Sequence, residues 1–208
     1  MAVTQPRWLQ ALEQKPRAPQ KAPPPQGALR VKPHAIPQEL RLHDAWAVWH
    51  WEREHDRWSK PPYNPTTGQR AEPGDPSTWS SFEDALRAYR DGLTPADGGR
   101  PYDGISFALN YRFGLVGVDL DHVSEHQADA ARIVRALDSY SELSPSGDGI
   151  RIFCKGTLPE GRRRRDWVEM TTRRFLSVTG HHLDATPETI TAHPTALYGV
   201  WARSVQHG

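Results

Sequence analysis

Residues 105–121, Ile-Ser-Phe-Ala-Leu-Asn-Tyr-Arg-Phe-Gly-Leu-Val-Gly-Val-Asp-Leu-Asp, hold two apolar runs split by a short polar turn at Asn110–Phe113. Runs of this length, rich in β-branched and aromatic residues, predict strands. The turn between them predicts a hairpin. Toward the N-terminus, Trp46 and Val48 alternate with Ala47, Trp49 and Trp51, so apolar side chains on both faces predict a strand covered on both sides. Residues 60–70, with three prolines and Gly68, read as loop and turn. Ser80 or Ser81 opens a helix with Glu83 and Asp84 in its first turn and Phe82, Ala85, Leu86 and Tyr89 along one face. Toward the C-terminus, residues 125–139 repeat the helical spacing through Ala130, Ile133, Val134 and Leu137. Residues 141–149 read as a loop, 151–156 as a strand, Arg162–Arg165 as a basic turn, 167–170 and 174–180 as two more strands, and 196–205 as a closing helix. Strands meeting in hairpins, interrupted by helices, predict an α+β fold with a mainly antiparallel sheet and flanking helices.

Composition narrows the function classes. The 208 residues include one Cys, 19 Pro and 8 Trp and carry a net charge of +1. One cysteine excludes an internal disulfide framework and a Cys-based zinc cluster. No run approaches the ~18 apolar residues of a membrane span, and the first thirty residues lack a signal-peptide core. No membrane association is expected, and the cytoplasm is the expected compartment. The neutral total hides a split. Residues 1–34 carry seven prolines and six basic residues against one acid, Glu13, and so hold +5, which leaves −4 for the remainder. Such a segment predicts a disordered basic arm, with Arg7–Gln14 as two helical turns able to dock on a partner. The folded domain is expected over 35–208.

Three carboxylates carry the chemical signal. Strand alternation puts Asp119 and Asp121 on one face, within ~7 Å of each other. Two ionised carboxylates so close repel, and a divalent cation such as Mg²⁺ or Mn²⁺ between them removes that cost. Solvated acids at a strand end are the plainer alternative. Glu169 sits between Trp167, Val168 and Met170, an unusual place for a glutamate unless its strand faces a polar site. Two aspartates and a further acid on neighbouring strands suit two-metal phosphoryl transfer. Glu142 competes for the third place, but it precedes a loop and is expected at the surface. Between the acids lies Ser144-Pro145-Ser146-Gly147-Asp148-Gly149-Ile150-Arg151. Its glycines and serines expose backbone N–H groups and hydroxyls as an anion nest, with Ser146 and Gly147 at its centre, and Arg151 can fork onto phosphate. An ordinary glycine turn is the alternative. Lys60 and Arg174 are further phosphate candidates. Arg162, Arg163, Arg164 and Arg165, with Arg173 and Arg174, surround Glu169 with positive charge suited to a nucleic-acid backbone.

In this order the pieces resemble the primase–polymerase domain of phage and plasmid replication proteins, in the archaeo-eukaryotic primase superfamily. The matching motifs are W-x-K-x-P-Y-N-P-x-T-G at 58–68, D-P-x-T-W-x-x-F-x-x-A at 75–85, D-G-I at 103–105, G-V-D-L-D-H at 117–122, S-P-S-G-x-G at 144–149 and R-F-L-S-V-T-G at 174–180. The resemblance implies an RRM-like catalytic core and template-directed nucleotidyl transfer from dNTPs or NTPs on a DNA template. It implies Mg²⁺ or Mn²⁺ held by Asp119, Asp121 and Glu169, and a triphosphate held by the glycine loop and Arg151. It also implies a helicase nearby, in the same chain or as a partner. Arg151 stands where the superfamily often has His, so a proton-transfer role is not expected there.

Two other function classes compete. A metal-dependent nuclease of the restriction type would need an acid two residues before a lysine, and Phe153 precedes Lys155 there. A rolling-circle nickase would need His-x-His, which the adjacent His181 and His182 do not supply. The non-enzymatic alternative is a catalytically silent nucleic-acid-binding subunit of a replication complex.

Overall fold

The two apolar runs of residues 105–121 do form strands, but they belong to different sheets. The structure, a computed structural model, describes residues 6–9, 27–54, 57–159 and 162–203. β5 (Gly104–Leu109) lies between β1 (Trp46–Trp49) and β11 (Arg174–Val178) in a four-stranded sheet whose far edge is β4 (Pro62–Tyr63). β6 (Leu115–Leu120) lies between β8 (Ile150–Lys155) and β10 (Val168–Thr171), with β7 (Ser141–Leu143) and β9 (Arg162–Arg165) at the edges of a five-stranded sheet. The expected hairpin is therefore absent. Each strand is buried along its length and has both backbone edges already paired, so neither offers an edge to the other. The link between them is a 3₁₀ turn at Tyr111–Phe113, opened by the Asn110 side chain accepting the Arg112 N–H and closed by Gly114 in the left-handed region.

All pairings in both sheets are antiparallel, and helices flank them, so the α+β class holds. A separate ribbon pairs β2 (Glu52–Glu54) with β3 (Arg57–Ser59). Arg162–Arg165 is an edge strand rather than a turn. The turn is Asp166–Trp167, whose first residue takes φ +49° as a tight β-hairpin requires.

Strand parity sorts β6 into two environments. Val116, Val118 and Leu120 point to one face, where they pack with Ile150, Ile152, Cys154 and Met170 under α3 (Gln127–Leu137) and α4 (Pro194–Arg203). Leu115, Gly117 and Asp119 point to the other, toward the first sheet. There Leu115 and Phe153 join Phe107, Leu109 and Leu176, with Trp46 and α2 (Phe82–Arg90) completing the cluster. Ser81 caps α2 by accepting the Asp84 N–H at 3.1 Å, as the sequence predicts. The short α1 (Gln38–Arg41) buries Leu40 in the same core.

At Gly117 the two sheets leave no room for a side chain. A Cβ built there would lie 2.5 Å from Leu109 Cδ1 and 3.0 Å from Leu176 Cδ2. Gly117→Val is expected to push the sheets apart and lower stability by about 1–3 kcal/mol, seen as a lower urea midpoint. Wild-type stability in that variant would show that the contact can relax freely. Cys154, in the helix-covered core, is 1% exposed, and burial pushes its thiol up to about 12 despite the nearby Ser139 hydroxyl. A thiol reagent at neutral pH should leave the native protein unlabelled and modify it once unfolded; rapid native labelling would contradict this.

Parts of the N-terminal stretch rest on this body. Trp8 and Leu9 are buried in the helix-covered core, and the Arg7 and Trp8 N–H groups donate to Asp184 at 3.1 and 3.4 Å. The expected partner of this turn is thus the chain itself. Leu29 N–H donates to the Pro145 carbonyl and Lys32 N–H to Thr179, so residues 27–34 also lie against the domain. The rest of the expected arm, residues 1–5 and 10–26, lies outside the described residues, as do the last residues of the expected closing helix.

A candidate active site at the seam of the two sheets

The apolar contact between the sheets ends at Gly117, and beyond it the same face of the five-stranded sheet becomes charged. The strand registers align five residues in one row across it: Glu142 on β7, Arg151 on β8, Asp119 on β6, Glu169 on β10 and Arg164 on β9. Register neighbours on one face have Cβ atoms about 4.5–5.5 Å apart, so each charge meets the next. The first sheet closes over this row with Arg174, which ion-pairs Glu169, and with the Ser177 carbonyl, which accepts from Arg151 Nη1 at 3.2 Å. Arg151, Asp119 and Arg164 of this row, with Asp121, form one wall of a cleft of about 670 Å³. The segments at Trp58–Pro62 and Arg70–Pro73 form the other.

Of the three expected carboxylates, Asp119 and Asp121 line this cleft, and Glu169 lies buried beside it, next to Asp119 in the row. Glu169 is 2% exposed; Arg164 Nη1 donates to its Oε2 at 3.0 Å while Arg174 takes Oε1. Arg164 Nη2 also reaches Asp121 Oδ2 at 3.3 Å. Asp119 faces Arg151, but the Nε–Oδ1 approach of 3.4 Å lacks hydrogen-bond alignment, which leaves Asp119 Oδ1 and Arg151 Nε buried without one. Burial raises the Asp121 pKa, and the neighbouring Asp119 charge adds to it against the pull of Arg151, Arg164 and Lys60.

Of the expected phosphate ligands, Arg151, Arg174 and Lys60 line the cleft. The Lys60 ammonium lies 5.0 Å from the Trp51 ring centre and 5.6 Å from that of Trp49. Its pKa is pushed down to about 7 by burial and then by Arg151, with Asp119 and Asp121 opposing. Ser146 and Gly147 do not line the cleft. Their loop forms the β7–β8 turn, where Gly147 N–H donates to the Ser144 carbonyl and the Asp148 carboxylate accepts the Ser124 N–H. It is thereby fastened to the segment that follows Asp121. Of the basic run, Arg164 enters the carboxylate row. Arg165 takes the opposite face, donating to the Arg203 carbonyl at 3.0 Å, as alternation along a strand requires. The side chains of Arg162 and Arg163 lie outside the described residues.

Glu142 corrects the sequence expectation. It is wholly buried, not at the surface, and it accepts from Tyr140 Oη, Thr179 N–H and Gly180 N–H, each at 2.8 Å. Burial raises its pKa, with these hydrogen bonds opposing. The missed signal is that Ser141–Leu143 is a strand whose middle residue pairs with Arg151. Glu52 was also missed: it gathers Tyr63, Arg70 at 2.5 Å and His50 at 2.8 Å behind the Lys60 wall.

The donor set is carboxylate oxygen, which suits Mg²⁺ or Mn²⁺. Asp119 Oδ1, buried with no hydrogen-bond partner, is an oxygen that such an ion would satisfy. Among the described residues no three His, Cys, Asp or Glu side chains stand together as a ready metal cluster, and each of the three carboxylates faces an arginine. The residues fit a divalent cation by their chemistry, while their present partners are guanidinium groups.

No family model matches the chain. A DNA primase-polymerase of Nitratiruptor phage NrS-1 is 28% identical to it over 157 residues, which are 70% of this chain and 20% of that protein. The chain thus spans about a fifth of the length of that relative. This similarity agrees with the resemblance carried by the six motifs. Among the described residues no helix is long and apolar enough to cross a membrane.

Proposed function

We propose that the chain is a DNA primase or polymerase catalytic domain, an RRM-like core transferring nucleotides from dNTPs or NTPs onto a strand paired with a DNA template. The observation that carries this is the alignment of Asp119 with the buried Glu169 across β6 and β10, beside a cleft lined by Asp119 and Asp121 together with Arg151, Arg164, Arg174 and Lys60. The similarity to a phage primase-polymerase supports it.

Asp119, Asp121 and Glu169 would hold Mg²⁺ or Mn²⁺. Such ions supply Lewis acidity, lowering the pKa of the attacking hydroxyl and neutralising departing pyrophosphate. Arg151, Arg174 and Lys60 bind the triphosphate, while Ser146 and Gly147, outside the cleft lining, belong to the turn that leads into β8 and Arg151. The 3′-oxygen forms a bond to the α-phosphorus as the α–β bridging P–O bond breaks, and the hydroxyl proton passes to solvent. Arg151 has no proton to exchange at neutral pH, so its part is to bind and orient. The β9 arginines, Arg162–Arg165, would meet the template or product backbone along the edge of the five-stranded sheet. A helicase, in the same polypeptide or separate, would open the duplex ahead of this domain.

Incubation with primed and unprimed template, labelled dNTPs or NTPs and Mn²⁺ tests the proposal. Template-dependent extension supports it. Degradation would point to a nuclease, and a shifted band without synthesis to a silent binding subunit.

A further inference from the structure

Arg164 stands out because one side chain bridges two carboxylates. Its Nη1 lies 3.0 Å from Glu169 and its Nη2 3.3 Å from Asp121, so its charge sits between two of the acids assigned to the metal. The Arg164 side chain is about half exposed, whereas that of Glu169 is 2% exposed. Three carboxylates, Asp119, Asp121 and Glu169, face three guanidinium groups, Arg151, Arg164 and Arg174, with Lys60 on the opposite wall.

We propose that Arg164 is the resident counter-cation of this site, holding Asp121 and Glu169 until a divalent cation displaces it. The inference rests on the metal-dependent function proposed above. A cation and a guanidinium compete for the same two oxygens, so neither carboxylate can serve both fully. Arg164 can leave, because its strand is a sheet edge and its side chain already reaches solvent; Arg174 is comparably exposed on the edge of the other sheet but holds Glu169 alone, whereas Arg164 occupies both Asp121 and Glu169. Arg151, by contrast, is locked at 4% exposure against Asp119 and the Ser177 carbonyl. Displacement leaves a cluster of net positive charge and a free guanidinium at the cleft mouth, both suited to a polyphosphate. Metal loading and phosphate capture are then two halves of one exchange of partners.

The test is Mn²⁺ binding to the full chain, read from the paramagnetic resonance of free Mn²⁺. Arg164→Gln is expected to bind Mn²⁺ roughly 5–10-fold tighter than wild type, the scale of two lost charge-assisted contacts near a surface. Its melting temperature in chelator is expected to fall and its gain on adding Mn²⁺ to exceed that of wild type. Arg165→Gln removes the same charge from the same strand but on the opposite face, and its Mn²⁺ affinity should match wild type. Arg164→Lys, which keeps a charge but not the fork, should fall between. Equal or weaker Mn²⁺ binding by Arg164→Gln overturns the inference, as does equal tightening by Arg165→Gln. Asp119→Asn separates the two levels: if it binds Mn²⁺ like wild type, the metal site itself is wrong. If it loses Mn²⁺ while Arg164→Gln is unchanged, only the role of Arg164 falls.

Discussion

Replacing Asp119 is expected to abolish metal-dependent primer extension, a loss of roughly 10²–10³-fold or more, the scale for removing one preorganised electrostatic group from a water-poor site. Asp119 stands opposite Glu169 on one side and Arg151 on the other, and it offers a buried oxygen with no hydrogen-bond partner. Its alanine variant raises a second problem. Arg151, 4% exposed, would lose its counter-charge, and an uncompensated buried charge costs about 3–5 kcal/mol. Asp119→Asn is the sharper test, since it keeps shape and one acceptor oxygen while removing the ligand charge. The measurement is extension of a labelled primer at saturating Mn²⁺, with the circular dichroism spectrum and melting curve of the same sample. Loss of extension in a folded Asp119→Asn protein is the expected result. Extension at the wild-type rate would remove Asp119 from the chemistry and with it the proposed function.

The largest expected effect on stability belongs to Glu142. Its carboxylate closes a junction between β7 and the end of β11 by accepting two backbone N–H groups and the Tyr140 hydroxyl. Glu142→Ala would leave all three donors buried and unpaired, at about 1–3 kcal/mol each and less than additively. The expected loss is about 4 kcal/mol, a large share of the 5–15 kcal/mol that typically holds a domain together. Tyr140→Phe removes one of the three bonds, so its cost should stay near 1 kcal/mol. Glu142→Gln should fall between, because an amide nitrogen would face a donor. Urea midpoints of the three variants give the order directly. If the alanine variant unfolds like Tyr140→Phe, the junction is held by packing and Glu142 adds little.

Much of this was legible from local rules. The period-2 pattern of Trp46–Trp49 and of Leu115–Asp121 placed two strands and put Asp119 on the face away from Val118 and Leu120. Ser81 with Asp84 marked the start of α2, and an acid among Trp167, Val168 and Met170 marked Glu169 as facing a polar site. What local rules missed has one cause. They describe a strand's faces but not its neighbours. The turn at Asn110–Gly114 looks alike whether the chain folds back on itself or passes to another sheet, and only the pairing of β5 with β1 and β11 decides between them. Glu142 beside a glycine loop looked exposed because nothing nearby in sequence announces that residues 178–180 will cover it. The arginine run looked like a turn because four charges mask a strand whose alternate members leave by opposite faces.

The amino-acid sequence by itself determined which residues can do chemistry and on which face of their own strand they stand. These are properties of backbone geometry and of the order of side chains along it. Tertiary structure alone decided that Glu142, Arg151, Asp119, Glu169 and Arg164, drawn from 119 to 169 in an order unlike that of the chain, form one row. It also decided that Arg174 crosses from the other sheet to close that row. The physical reason is register. Hydrogen bonds between distant strands set which charges become neighbours, and a strand's own sequence does not name its partners.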